Sequence, residues 1–75
     1  MYNGHKNWNH WNVSLWLNND EGFYDMMRQA VKYSDNRQEA AKYLLEMLHD
    51  CNVTETPDGA PYSVSSIRAA MVGLN

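Results

Sequence analysis

Apolar residues recur every three or four positions in four stretches of this chain, and no stretch alternates as a half-buried strand would, so the pattern predicts an all-α fold. The first predicted helix covers about 8–18, with Asn7 placed to accept a free backbone N–H at its start. At about 100° per residue, Trp8, Trp11, Val13, Leu15, Trp16 and Leu17 spread round most of its circumference. It carries no charged residue, which predicts burial on several sides, with Leu15 and Trp16 near the centre of a compact bundle. Asn12 projects between Trp8 and Trp16, where an amide without partners costs about 1–3 kcal/mol. It is therefore expected to act as a hydrogen-bond hub in the core.

A second helix is expected from near Asp20 to Tyr33, capped by Asn19 or Asp20 and carrying acidic residues in its first turn. Phe23, Met26, Met27, Ala30 and Val31 fall on one side of it, and Asp25, Arg28, Gln29 and Lys32 on the other. Gly22 in the first turn suggests a close approach by the first helix or by Trp16. Asn36 followed by Glu39 is a capping-box signature for a third helix over 37–50. Ala41, Leu44, Leu45, Leu48 and Cys51 form its main apolar seam. Ala40, Tyr43 and Met47 form a second stripe, which is either more core or an exposed apolar patch. Over 52–61 a loop is expected, with Thr56-Pro57-Asp58-Gly59 as a type I turn. Ser63 caps a last helix whose Val64, Ile67, Met71 and Leu74 share one face, opposite small residues Ser66, Ala69 and Gly73. The expected fold is one domain over 1–75, a compact bundle of about four short helices around the tryptophan-rich one.

Length sharpens this picture. Seventy-five residues can close one core but leave little margin, since a chain this short hides only about 60 % of its unfolded surface. The single cysteine cannot form an internal disulfide and no zinc-ligand spacing exists, so stability must come from packing. No apolar run approaches the roughly 20 residues that span a bilayer, and the first residues lack the apolar core of a signal peptide. The expectation is a cytoplasmic chain with no membrane association. A net charge of −3 argues against a nucleic-acid coat, because neutralising phosphates needs clustered Lys and Arg.

Candidate chemistry is sparse. Cys51 continues the leucine seam, where a buried, inert thiol is expected. His5, His10 and His49 match no metal-binding pattern, Asp20, Glu21 and Asp25 are explained as caps and solvated charges, and no glycine-rich phosphate loop is present. The expectation is a chain with no catalytic residues, no metal and no cofactor, and not an enzyme. Residues 61–68 resemble a serine-capped recognition helix after a turn, but the preceding loop is too long for a helix-turn-helix corner and Arg68 is the only basic residue there.

Residues 7–24, NWNHWNVSLWLNNDEGFY, resemble a family of short proteins of bacteriophages and other mobile elements in which the stretch reads approximately N-Y-E-T-W-N-V-A-L-W-L-x-N-D-E-G-L-Y. The Trp11/Trp16 pair followed by N-D-E-G is the specific part, and Thr56-Pro57-Asp58-Gly59 with Tyr62-Ser63 through Met71 extends the likeness over nearly the whole chain. Trp8-Asn9-His10 stands where the family often has Y-E-T, and Phe23 where it has leucine. The resemblance carries no active-site residue across. It implies a viral or mobile-element origin, and small phage proteins of this profile are commonly stoichiometric inhibitors of host systems, anti-CRISPR proteins among them.

The leading expectation is thus a phage-encoded protein-binding module that blocks a host defence complex, a protein or ribonucleoprotein, by occupying its surface. Its contacts are expected at Tyr2 and Trp8, at the acidic turn of Asp20, Glu21 and Asp25 with Tyr24, or at the Tyr43/Met47 stripe. A rival expectation is a small DNA-binding or transcription-control accessory using the last helix, with Arg68 joined by Lys42 or Arg37 in a basic stripe. Self-association as a homodimer, through the Ser66/Ala69/Gly73 face or the Tyr43/Met47 stripe, is a third.

Overall fold

Four side chains start four helices. In the computed structural model, which describes residues 5–72, Asn7, Asp20, Asn36 and Ser63 all have extended backbone, and each side chain accepts from the backbone N–H three residues on. They open α1 (Trp8–Asn19), α2 (Glu21–Tyr33), α3 (Arg37–Asp50) and α4 (Val64–Ala70). Asp20 serves two helices at once: its N–H closes α1 on the Trp16 carbonyl at 3.1 Å while its carboxylate caps α2 through the Phe23 N–H at 3.0 Å. One extended residue therefore makes the whole α1–α2 corner. Gly22 answers to that cap rather than to α1 or Trp16, because a Cβ there would lie 3.3 Å from the capping Oδ1 of Asp20.

The helices form a closed ring in which α1 packs on α2 and α4, and α3 packs on the same two. Its middle is filled by Val13, Leu17, Met27, Leu44, Leu48, Ile67 and Met71, all essentially inaccessible, with Ala30, Ala40, Ala41 and Ala70 where backbones come close. The centre of α1 is thus Val13 and Leu17. Leu15 and Trp16, expected there, are only half-buried. The indole N–H gives the reason for Trp16: it needs an acceptor, and it donates to the Asp58 carboxylate at 3.0 Å on the exposed side.

α3 ends in a Schellman turn that the sequence pattern did not announce. Val53 N–H donates to Leu48 O at 2.8 Å and Asn52 N–H to His49 O at 2.9 Å, with Asn52 in the left-handed region at φ 61. Asparagine tolerates that conformation better than most residues, and Val53 packs against the core that contains Leu48. The turn carries Cys51 away from the leucine seam, so the cysteine expected to be buried is exposed.

The 53–62 segment folds back as a miniature hairpin. Gly59 N–H closes the expected turn on Thr56 O at 2.9 Å, Gly59 takes φ 96, and Thr56 N–H returns to Ala60 O at 2.8 Å. This is a type I turn extended by a glycine bulge, flanked by a single antiparallel bridge between Glu55 and Pro61. It is too short to show alternation in sequence. α4 follows at once, opened by a reciprocal box in which Ser63 and Ser66 each bond the other's backbone N–H. That box turns Ser66 inward and buries it, so the expected small-residue surface is partly interior. Gly73 and Leu74 lie outside the described residues.

Candidate interaction groove

On α2, Met26, Gln29 and Tyr33 follow one another at helical spacing, and on α3 so do Glu39, Tyr43 and Met47. The 34–36 link folds α3 back beside α2, so the two rows face each other across a groove of about 690 Å³ lined by these six residues with Ser34, Asp35 and Asn36. Ala30 of α2 and Ala40 of α3 are buried. The groove's large apolar side chains remain open to solvent: Tyr33 is 78 % exposed and Tyr43 52 %, while Met26 and Met47 are partly covered. The Tyr43/Met47 stripe is therefore a groove wall, with only its Ala40 member in the core. Met26, expected on the core face of α2, packs against the core and also lines the groove; Tyr33, seven residues later on the same face, is the lining residue that the sequence did not single out.

The other expected contact residues that the structure describes do not line this groove. Trp8 is 36 % exposed at the start of α1, and Tyr2 lies outside the described residues. Asp20 is occupied as a cap, Glu21 is exposed beside it, and Asp25 lies 4.0 Å from Arg28 on the outer face of α2. Tyr24 packs against the core instead of joining them at the surface. Asp20 also acts inward: Tyr62 is held above the usual tyrosine range, first by burial and then by the Asp20 charge.

On the opposite side of the ring a polar cluster ties the hairpin to α1. Asn12, 1 % exposed, donates from Nδ2 to Asp58 Oδ2 at 2.9 Å and accepts the Thr56 hydroxyl, whose oxygen in turn accepts the Ala60 N–H at 3.0 Å. Asp58 Oδ2 also takes the Trp16 indole, and the two donated bonds, that from Asn12 first, hold its carboxyl below the usual range. Asn12 is the hub expected of it.

His10 and Ser65 link α1 to the first turn of α4, with Nε2 and Oγ 3.0 Å apart. Partial burial, then the charges of Lys6 and His5, lower the His10 pKa below 6.5. A neutral ring can accept the serine proton or donate to the serine oxygen; a protonated one can only donate, and it brings a positive charge to the positive end of α4. Because the folded value is the lower, the unfolded chain binds the proton first, so this contribution is present above the unfolded value and lost as pH falls below it. Melting temperature is expected to decline between about pH 7 and 5, and His10→Gln to flatten that limb in a calorimetric pH series. An unchanged slope would show that the His10–Ser65 link does not set it.

The basic residues expected to join Arg68 of α4, Arg37 and Lys42, lie on α3. Arg37 donates from Nε to the Met71 carbonyl at 3.3 Å, completing the C-terminal end of α4, and Lys42 lies 3.9 Å from Glu39 on α3. Among the described residues no group of three His, Cys, Asp or Glu side chains could hold a metal ion, and no helix is long and apolar enough to cross a membrane.

Fold and surface together define a small all-α domain with an open groove, lined by tyrosines and methionines, between α2 and α3. The chain belongs to DUF7249, a family of unknown function, which it matches over residues 1–73. Neither a curated protein nor a solved structure matches it.

Proposed function

We propose that this chain is a phage-encoded protein-binding module that acts stoichiometrically, covering a surface of a host defence complex in the manner of anti-CRISPR proteins, with the α2–α3 groove as its contact. The observation that carries the reading is the pair of exposed tyrosines beside two partly covered methionines on one concave face. Tyrosine and methionine are enriched at protein interfaces, where a few central aromatics carry most of the affinity. Methionine adapts its shape to whatever apolar side chain is presented. The viral and inhibitory side of the reading rests on the resemblance of residues 7–24 to short phage proteins. Glu21 and Asp25, exposed at the α1–α2 corner, serve in this reading to speed encounter with a basic partner.

Affinity capture from host cells tests this with Tyr33→Ser, Tyr43→Ser and Met47→Ser combined. Tyr33 and Tyr43 are exposed and Met47 is partly covered, so the variant should lose little stability and stay folded, while partner affinity should fall at least about tenfold and protection of an invading plasmid should be lost. Retrieval of the same complex at the same stoichiometry by the folded variant would remove the groove from the reading.

A further inference from the structure

The residues that line the α2–α3 groove and carry a charge at neutral pH are both acidic, Asp35 and Glu39, and no lysine or arginine is among its lining. Taken with the groove reading above, on which this inference rests, the geometry points to an arginine-bearing apolar segment of the partner as the occupant, its guanidinium set between the two carboxylates and the tyrosine faces. Asp35 lies on the short link that closes one end of the groove, and Glu39 is one turn into α3, a helical turn before Tyr43. A planar guanidinium satisfies both surroundings at once, pairing with carboxylates through its edge and stacking on an aromatic ring through its face. The apolar remainder of the segment meets Met26 and Met47. At about 690 Å³ the groove accommodates a few side chains of a helix or strand rather than a folded domain.

The chain already shows half of this chemistry on its own surface. Lys32 Nζ stands 5.5 Å from the centroid of the Tyr33 ring, so that ring takes a cation on one face. Lys42 shares Glu39 at 3.9 Å, and both side chains of that pair are more than half exposed. Contacts of this kind are weak, and neither lysine lines the groove, so an incoming guanidinium competes with them without displacing any buried group. Lys42 is then a competitor for Glu39, which sets the sign of one test: its neutralisation should tighten binding.

The probe is an amidated twelve-residue amphipathic peptide with leucines on one face and one arginine, compared with the same peptide carrying neutral, isosteric citrulline. Binding is followed through the methyl resonances of Met26 and Met47 in the full chain. The arginine peptide is expected to bind roughly tenfold more tightly than its citrulline twin, the sum of one exposed ion pair and one cation–π contact. Asp35→Asn with Glu39→Gln should abolish the difference, and Lys42→Gln should enlarge it. Equal binding of the two peptides would overturn the arginine assignment while leaving the groove as a contact. Methyl resonances unmoved by either peptide at millimolar concentration would overturn it as well. In the host-cell capture, loss of the partner from the Tyr33/Tyr43/Met47 variant but full retention by Asp35→Asn/Glu39→Gln separates failure of this inference from failure of the groove itself.

Discussion

Ile67→Ala is expected to destabilise the domain by about 2–5 kcal/mol, read as a fall of roughly 10–30 °C in melting temperature by circular dichroism. Ile67 is fully buried, and α4, which holds it, is seven residues long. A helix that short does not persist in water by itself, so its structure depends on the face it buries. The Ser63/Ser66 box and the Arg37 contact with Met71 complete its ends, but each satisfies only backbone groups that water would otherwise serve. Since α1 and α3 meet only through α2 and α4, undocking α4 opens the ring along one whole side. A domain of this size has a total stability of about 4–11 kcal/mol, so the single substitution removes a large fraction of it. Ile67→Val, which keeps the branched shape, should cost only about 0.5–1.5 kcal/mol, and Cys51→Ser, at an exposed position, close to nothing. A loss below about 1 kcal/mol for Ile67→Ala would mean that α4 is held by its caps rather than by packing.

What the sequence disclosed and what it withheld divide along the range of the interactions. Asn7, Asp20, Asn36 and Ser63 were legible as helix starts because a cap needs only a side chain and a backbone N–H three residues on. The Thr56–Gly59 turn was legible for the same reason. Asn12 announced itself as a hub because a polar residue on an otherwise apolar helix must be satisfied, yet its partners Thr56 and Asp58, more than forty positions away, could not be named. Trp16 was misplaced because apolar periodicity counts its ring area and ignores its N–H, and that donor turned it toward Asp58. Cys51 was misplaced because the seam was continued past Asp50, where α3 ends and Cys51 becomes its C-cap. The groove was half legible. Tyr43 and Met47 stood out as a surplus stripe on α3, but that they face Met26 and Tyr33 depends on how the 34–36 link aims one helix beside the other, and periodicity within a helix carries no such information. At the acidic corner the sequence showed the charges but not their local duties: Asp20 caps α2 and Tyr24 packs against the core.

The hub yields the second large effect. Asn12→Leu should cost about 2–3 kcal/mol, and most of that cost should come from the hairpin rather than from α1. Leucine fits an apolar helix well, but it leaves the buried Thr56 hydroxyl with a proton to donate and no acceptor, and it removes one of the two donors that hold Asp58. Of these bonds, that from the Trp16 indole then remains to hold Asp58, beside the packing of Ala60 and Tyr62 of the 53–62 segment into the core. Because that segment delivers Ser63 to the start of α4, loosening it should also raise amide exchange in the first turn of α4, a readout that simple loss of core packing at residue 12 would not produce. Asn12→Asp keeps the shape and sharpens the test: it sets a second carboxylate against Asp58 Oδ2, so its penalty should exceed that of leucine at neutral pH and shrink in acid as one carboxyl takes up a proton. The wild type has its own acid limb of opposite origin. Asp58 titrates below its ordinary value in the folded chain, so the stability it contributes is present above that value and is lost as pH falls through the lower, folded one. Asn12→Leu should make this limb shallower, leaving the Trp16 bond to account for what is left. In a double-mutant cycle with Asp58→Ala the two substitutions should therefore cost less together than the sum of their separate costs. Strict additivity would separate Asn12 from Asp58 and leave Thr56 as the only partner through which the hub acts.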